Sequence, residues 1–277
     1  MNLWPALKKP VAPGTGRIGR IFRLPLIDAL QFLLLVWGLY WLAALGVDRV
    51  EYNWQWYQIP KFLFTFDDQG FSAGPLLIGL KTTLYISVVS LFFSLIIGLV
   101  TAIFRLSSSP IASTLARIYL ETVRNTPLLI QIFFIYFVLG PVLDIDRISA
   151  AILALSLFEG AYASEIFRSG IQSVGKDQLE AAYSLGHTPF QTYRHIILPQ
   201  AIRTILPPLT SQIISLVKDS ALVSTIAIYD LTMQAQAIIA ETYLSFEIWF
   251  TVAAIYLCIN FLLSMFIKLF ERRLKLP

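Results

Sequence analysis

Long apolar runs separated by polar stretches account for most of the chain. Most of these runs approach the ~20 residues that an α-helix needs to cross the hydrocarbon core of a bilayer. The pattern therefore predicts an all-α polytopic membrane protein with about six transmembrane helices. The runs cover residues 30–45, 76–104, 118–139, 149–167, 200–217 and 247–270.

Composition also indicates a lipid-embedded chain. Of 277 residues, 57% are hydrophobic and 14% are charged, and the mean hydropathy is +0.70. Soluble domains average about 45–50% apolar and about 25% charged residues. A water-soluble fold would have too few charges to cover its surface. Six spans use about 120 positions, which leaves no room for a large soluble domain.

The distribution of basic residues predicts the orientation. The segments 1–28, 105–117, 168–199 and 271–275 are rich in Lys and Arg, whereas the connector 47–75 is poor in them. Basic flanks of membrane helices stay in the cytoplasm. With six spans, all four basic segments fall on the same side. The sequence thus predicts a membrane protein with cytoplasmic N- and C-termini.

The N-terminal part is interpreted as two segments. Residues 1–28 form a basic cytoplasmic arm, and residues 29–75 hold an extra transmembrane helix with an external connector. A cleaved signal peptide is the alternative. The long charged leader and the bulky aromatic residues of the run favour a retained span, but its retention stays open.

Other possible chemistries have weak sequence signals. Gly14, Gly16 and Gly19 spell a glycine-rich pattern, but no strand precedes them and no βαβ unit follows, so no nucleotide site is predicted. His187 and His195 have no nearby cysteine, and no metal site is predicted from them. No protease, nucleophile-elbow or paired-carboxylate motif indicates an enzyme.

Small residues recur at every fourth position in the second and fourth runs. This spacing lets another helix approach closely. We therefore expect these faces to be helix contacts. They carry Ser90, Ser94, Gly98 and Ala102 in the second run and Ser156, Gly160 and Ser164 in the fourth.

The polar stretch between the fourth and fifth runs predicts two short helices hinged at a glycine. Asp177 is expected to cap the first, with Glu180 three residues later, and Gly186 to end it. Thr188 is expected to cap the second, with Gln191 completing a capping box. Such a pair is shaped to enter a groove on a partner.

This stretch resembles the EAA signature of ABC importer permeases. The motif is Glu180-Ala181-Ala182, then Gly186, then Ile196-x-Leu198-Pro199. Segments 124–134, 160–171 and 218–222 are similar to the polar amino-acid uptake branch. The resemblance covers about residues 76–275.

The resemblance implies a type I permease core of five helices at 76–275, with a coupling loop at 172–199 and two short cytoplasmic coupling helices. It implies a second permease subunit, identical or homologous, a cytoplasmic ABC ATPase homodimer and a periplasmic amino-acid-binding protein. ATP and Mg would bind the ATPases, with no cofactor on this chain. The implied ATPase-coupling residues are Asp177, Glu180, Ala181, Ala182, Gly186, Ile196, Leu198 and Pro199.

Polar residues inside the apolar runs are candidates for a substrate path. Glu159 lies near the predicted bilayer midplane, where a charge costs at least about 2.5–3.5 kcal/mol. An amino acid needs an acceptor for its ammonium group and a cation for its carboxylate. The candidates are Glu159, Lys218, Asp219, Gln131, Ser211 and Ser215, of which Ser211, Ser215 and Asp219 form one stripe.

A purely structural role for these polar groups is the alternative. Glu121 with Arg124, and Glu165 with Arg168, have the spacing of ion pairs within one helix. Gln131 can bridge helices through its amide.

Two other functions stay open. One is an ion-gradient-driven secondary transporter with a broken helix at Pro207-Pro208. The other is a non-transporting membrane anchor for a soluble partner. The transported amino acid, the identity of the second pore subunit and the path of residues 220–245 are not predicted.

Overall fold

The computed structural model describes residues 25–49, 52–67 and 70–274. The chain forms two compact units, Met1–Trp54 and Gln55–Pro277. The glycine-rich pattern and most of the predicted basic arm lie outside the described residues.

The described helix of the first unit is α1, Pro25–Arg49. The predicted first run is therefore helical. Its apolar part, Ile27–Trp41, is shorter than a full span. The extra transmembrane span and its retention stay predictions.

The connector contains a small β-hairpin that the all-α prediction missed. A 3-10 turn at Trp56–Gln58 leads into α2 (Ile59–Leu63), followed by β1 (Phe64–Asp67) and β2 (Gly70–Ala73). The strands pair antiparallel, with Phe64 opposite Ala73. Aromatic and β-branched residues favour strands in β1, and at four residues the strand is too short for a clear alternating pattern.

The rest of the second unit is a bundle of long helices. Three of the described helices are long and apolar enough to cross a membrane, or five if each of two bent pairs is one span. The count of six stays a prediction. The three are α3 (Pro75–Leu106), α7 (Arg147–Gln172) and α12 (Ser245–Leu274).

The third run is not one continuous helix, so the span predicted at 118–139 is corrected to a bent pair of helices, and its crossing of the membrane stays a prediction. The chain bends by 106° between two helical pieces. Pro127 disfavours a helical conformation of the residue before it. The pieces are α4 (Pro110–Arg124), followed by α5 (Leu128–Phe133), a π-helix (Phe134–Leu139) and α6 (Gly140–Leu143).

The fifth run continues through its prolines. α10 (Leu198–Asp219) contains Pro207 and Pro208 without an interruption, so the predicted break there is wrong. Membrane helices tolerate proline because neighbouring groups satisfy the freed carbonyls. The path of 220–245 is a 3-10 helix (Ser220–Ile226) and then α11 (Leu231–Thr242), bent by 48° from the preceding helix.

The predicted contact between small-residue faces is confirmed for α3 and α7. All seven small residues are buried. A Cβ added at Gly98 would lie 2.7 Å from the Cβ of Ala163 and 3.0 Å from the Gly160 carbonyl oxygen. The Ser156 hydroxyl donates to the Ser90 carbonyl at 3.3 Å. The two backbones therefore approach so closely that larger side chains do not fit.

Candidate functional site

The polar loop begins with α8 (Lys176–Ser184), a short helix at one end of α7. Gly175 occupies the N-cap position, and no side chain caps the helix there. The predicted Asp177 cap is therefore wrong, because the helix begins at Lys176, two residues earlier than an Asp177 cap requires. Asp177 lies in the first turn instead, where its charge favours the helix dipole.

Gly186 ends α8 in the predicted left-handed conformation, with φ of +81°. The Gly186 N–H donates to the Tyr183 carbonyl at 3.0 Å, and the His187 N–H donates to the Ala182 carbonyl at 3.1 Å. This pair of bonds is the Schellman motif. The predicted glycine hinge is confirmed.

The capping box after the hinge is also confirmed. The Thr188 hydroxyl accepts from the Gln191 N–H at 3.3 Å, and the Gln191 side chain accepts from the Thr188 N–H at 2.9 Å.

The sequence predicted a separate short helix after the capping box, and this prediction is wrong. α9 (Pro189–Thr192) continues through a π-helix (Tyr193–Ile197) directly into α10. No helix stop signal stands between Pro189 and Leu198, and the helical path continues through Pro199.

The EAA residues divide into an anchoring set and an exposed set. Ala182 is buried, and so is Ile197, which stands between the motif residues Ile196 and Leu198 and packs with Val174, Ala201 and Ile205. The exposed set forms the surface of the loop. It comprises Asp177, Glu180, Ala181, Gly186, Leu198 and Pro199, while Ile196 is half-buried.

Large apolar side chains also project from this loop. Leu185 and Phe190 are 79% and 71% exposed, and Tyr183 is exposed on α8. Exposed apolar groups gathered around a short helix are typical of a protein-binding surface. We call this exposed loop, residues 173–191, the α8 foot.

One buried and two half-buried polar side chains meet between α7 and α10. Glu159 is 1% exposed and accepts a hydrogen bond from the Gln212 side-chain amide. Asp219, half-buried on α10, lies close enough to Glu159 for the two carboxyls to interact. In the described part of the chain, Glu159 Oε1 is buried and receives no hydrogen bond. We call Glu159, Gln212 and Asp219 the acidic cluster.

The sequence predicted Glu159 and Asp219 for this region but missed Gln212. The sequence did contain a signal for Gln212, because Gln212, Ser215 and Asp219 have the i, i+3, i+7 spacing of one helix face. Ser215 is half-buried. Ser211 and Lys218 are exposed and do not join the cluster.

Gln131 lies at the bend of the third run instead. Its amide donates to the carbonyls of Val123 and Thr126 at 2.8 and 2.9 Å. These bonds satisfy backbone groups that the break leaves open. This geometry favours the helix-bridging alternative for Gln131.

A network of ion pairs joins three helices further along α7. Glu165 contacts Arg105 of α3, Arg124 of α4 at 3.4 Å and Arg168 of α7 at 2.9 Å. The predicted pair of Glu165 and Arg168 is confirmed. The predicted pair of Glu121 and Arg124 is wrong, because Arg124 turns to Glu165 while Glu121 accepts from Asn125 at 3.0 Å.

The described residues thus form a bundle of apolar helices with a buried carboxyl and an exposed polar loop. Residues 94–276 match the family of binding-protein-dependent transport system inner membrane components. The chain belongs to this family.

Its relatives include permeases named for amino acids. The Escherichia coli K12 glutamine transport system permease protein GlnP is 41% identical over 208 residues, which covers 74% of this chain and 95% of the relative. A probable glutamine ABC transporter permease protein, GlnP, of Bacillus subtilis is 40% identical, covering 70% of this chain and 91% of the relative.

A solved structure shares the fold. It is a crystal structure of an amino acid ABC transporter with histidines, and its matching chain is 39% identical with a TM-score of 0.68. The match covers 72% of this chain and 94% of that chain. The first quarter of the present chain therefore lies mostly beyond the shared core.

Proposed function

We propose that this chain is the pore-forming subunit of an ATP-driven ABC importer for polar amino acids. The observation that carries the proposal is the α8 foot, in which the EAA residues form an exposed short helix closed at Gly186. The glutamine permeases named above support the substrate class. The chain would work by alternating access, in which rigid helix groups exchange the open side of a cavity.

The partners would be a cytoplasmic ABC ATPase homodimer and a second permease subunit, identical or homologous. A periplasmic binding protein would deliver the amino acid. ATP and Mg would bind the ATPases, and the chain would lie in the inner membrane with cytoplasmic termini. Family membership supports this arrangement.

Coupling would pass from the foot to the buried polar groups along one helix. Residues 189–219 form an uninterrupted helical path, and the capping box joins its start to the hinge at Gly186. α10 carries Gln212 and Asp219. A displacement of α8 by the ATPase would therefore move two members of the acidic cluster relative to Glu159 on α7.

The acidic cluster would contact the substrate ammonium or another cationic group. The Gln212 amide donates to one Glu159 oxygen, and the other oxygen, Oε1, receives no hydrogen bond within the described chain. Buried polar atoms normally have a partner. A substrate N–H donor would supply it, and Ser215, half-buried on the same face of α10, would line the path.

Reconstituted transport tests the proposal. The permease complex is placed in proteoliposomes with the ATPase, the binding protein and radiolabelled glutamine. We expect uptake with ATP, and none with a hydrolysis-deficient ATPase. Uptake driven by an ion gradient alone would identify a secondary transporter. The absence of uptake under every condition, with no ATPase bound to the permease, would favour a membrane anchor.

A further inference from the structure

A cavity with basic walls opens beside the ion-pair network. It has a volume of about 510 Å³ and lies between α4, α7 and α10. We call it the basic cavity. Its lining includes Arg124, Glu165, Arg168, Ser169, Thr204 and Pro208.

Positive charge exceeds negative charge around this cavity. Three guanidinium groups surround the single carboxylate of Glu165. Arg105 and Arg168 occupy its two oxygens, and Arg124 reaches only the oxygen that Arg105 already binds, at 3.4 Å. A guanidinium has five N–H donors. Arg124 therefore keeps donors available for another anion.

The Arg124 side chain is accessible and held in place. It is 45% exposed, and its guanidinium lies 5.7 Å from the centre of the Tyr162 ring. A planar guanidinium held in this way is suited to a carboxylate, which it can bind with two parallel hydrogen bonds. Ser169 and Thr204 add hydroxyl groups to the cavity wall.

The basic cavity follows the acidic cluster along the same two helices. On α7, Glu165 lies six residues after Glu159, which is about 9 Å along a helix. On α10, Pro208 and Thr204 lie one and two turns before Gln212. A ligand that leaves the acidic cluster toward the α8 foot meets this cavity next.

We infer that the basic cavity is an exit site that binds the carboxylate of the transported amino acid before release. The inference rests on the proposed function. In the importer orientation, the site faces the cytoplasm. Amino acid that accumulates inside would occupy it and slow the next transport cycle, so uptake should fall as the internal concentration rises.

The test measures ATP-driven uptake in proteoliposomes of the whole assembly, preloaded with the amino acid that it transports fastest. We expect internal substrate to slow uptake by the unmodified protein. Arg124→Gln should raise the internal concentration for half-inhibition about tenfold or more, as expected for the loss of a hydrogen bond between charged groups. The external concentration for half-maximal uptake should not change.

Matched variants isolate the role of the cavity. Arg117→Gln removes an exposed charge from α4, the helix that carries Arg124. It should change neither the internal concentration for half-inhibition nor the external concentration for half-maximal uptake. Arg124→Lys should retain part of the inhibition, since it keeps the charge. Thr204→Val, on a second wall of the cavity, should shift the half-inhibition in the same direction as Arg124→Gln.

Ligand variants identify the anion. The carboxamide of the same amino acid, loaded inside, should not inhibit, because it lacks the carboxylate. Equal inhibition by the carboxamide would overturn the inference, as would inhibition by inorganic phosphate alone. Inhibition that depends on phosphatidylglycerol, and is absent in vesicles of phosphatidylcholine alone, would show that the cavity holds a lipid headgroup instead.

The experiment distinguishes failure of the exit site from failure of the proposed function. Normal ATP-driven uptake with unchanged internal inhibition in Arg124→Gln would overturn the exit site and leave the proposed function intact. Normal uptake without any internal inhibition in the unmodified protein would do the same. Uptake that needs no ATPase would overturn the proposed function and the exit site together.

Discussion

Glu159 of α7 and Gln212 of α10 are joined by a side-chain hydrogen bond inside the helix bundle. This contact links the two moving parts that the proposed mechanism requires. α7 is packed tightly on α3 through small residues, whereas α10 continues from the α8 foot. Relative movement of α7 and α10 would change the contact at the point where the buried carboxyls lie.

Replacement of Glu159 tests the acidic cluster. Glu159→Gln keeps the size of the side chain but removes its charge and replaces one acceptor oxygen by an NH2 donor. We expect the half-saturating substrate concentration for uptake to rise about tenfold or more, or uptake to be lost, since an ion-paired hydrogen bond would be replaced by a neutral one. The measurement is ATP-driven uptake against external amino-acid concentration.

Ser211→Ala is the matched control for this variant. Ser211 lies next to Gln212 in the sequence, but its side chain is exposed. Its concentration dependence should equal that of the unmodified protein. If Glu159→Gln also left the concentration dependence unchanged, the acidic cluster would have no role in substrate binding.

The contact of α3 with α7 predicts a stability effect at Gly98. Gly98→Ala introduces a Cβ 2.7 Å from the Ala163 Cβ and 3.0 Å from a backbone oxygen, so the helices must separate. Overpacking of this kind costs about 1–3 kcal/mol. We expect a lower Tm for the detergent-solubilised protein. Gly140→Ala is the control, because its new Cβ would be at an ordinary distance of 3.4 Å from its nearest neighbour. Equal Tm values for the two variants would contradict the close approach.

The sequence predicted the parts of the fold that depend on local signals. The small-residue faces, the glycine hinge and the Thr188 capping box follow from spacing within a few positions, and all three are confirmed. The same local reasoning failed at the prolines. It took Pro207-Pro208 for a break, although the surrounding helix continues, and it missed the bend near Pro127.

The candidate site was predictable residue by residue but not as an arrangement. Glu159 was detected because a carboxyl inside an apolar run is costly. Its partner Gln212 belongs to another helix, and one sequence does not specify which faces of two helices meet. Arg124 is a second case. The sequence predicted Glu121, on the same helix, as its partner, whereas in the structure Arg124 contacts Glu165 on another helix.

Cysteine labelling tests the proposed orientation. In a Cys258→Ala background, Ser108→Cys and Tyr243→Cys place single thiols at exposed positions in the turn after α3 and the turn before α12. Because the basic 105–117 segment should be cytoplasmic, Tyr243→Cys should react with an impermeant maleimide in right-side-out vesicles. Ser108→Cys should react only after the vesicles are opened. The reverse pattern would contradict cytoplasmic termini.

Variants of the α8 foot test whether it couples ATP hydrolysis to transport. Gly186 has φ of +81°, and a residue with a Cβ pays about 1–2 kcal/mol in this conformation. Gly186→Leu should therefore distort the hinge and weaken docking. Glu180→Lys reverses the charge of an exposed side chain on α8 and should act at the docking surface itself. Both variants should insert normally into the membrane and lose most binding-protein-stimulated uptake.

Two control variants separate backbone strain from loss of glycine as such. Asn tolerates the left-handed conformation better than other residues, so Gly186→Asn should retain much of the uptake. Gly175→Ala, at the opposite end of α8, adds a Cβ with no neighbour within 4 Å and a negative φ of −58°, and should retain it as well. Uptake and ATP hydrolysis are measured in the same proteoliposomes. If Gly186→Leu and Glu180→Lys both transported at the unmodified rate, the α8 foot would not carry the coupling.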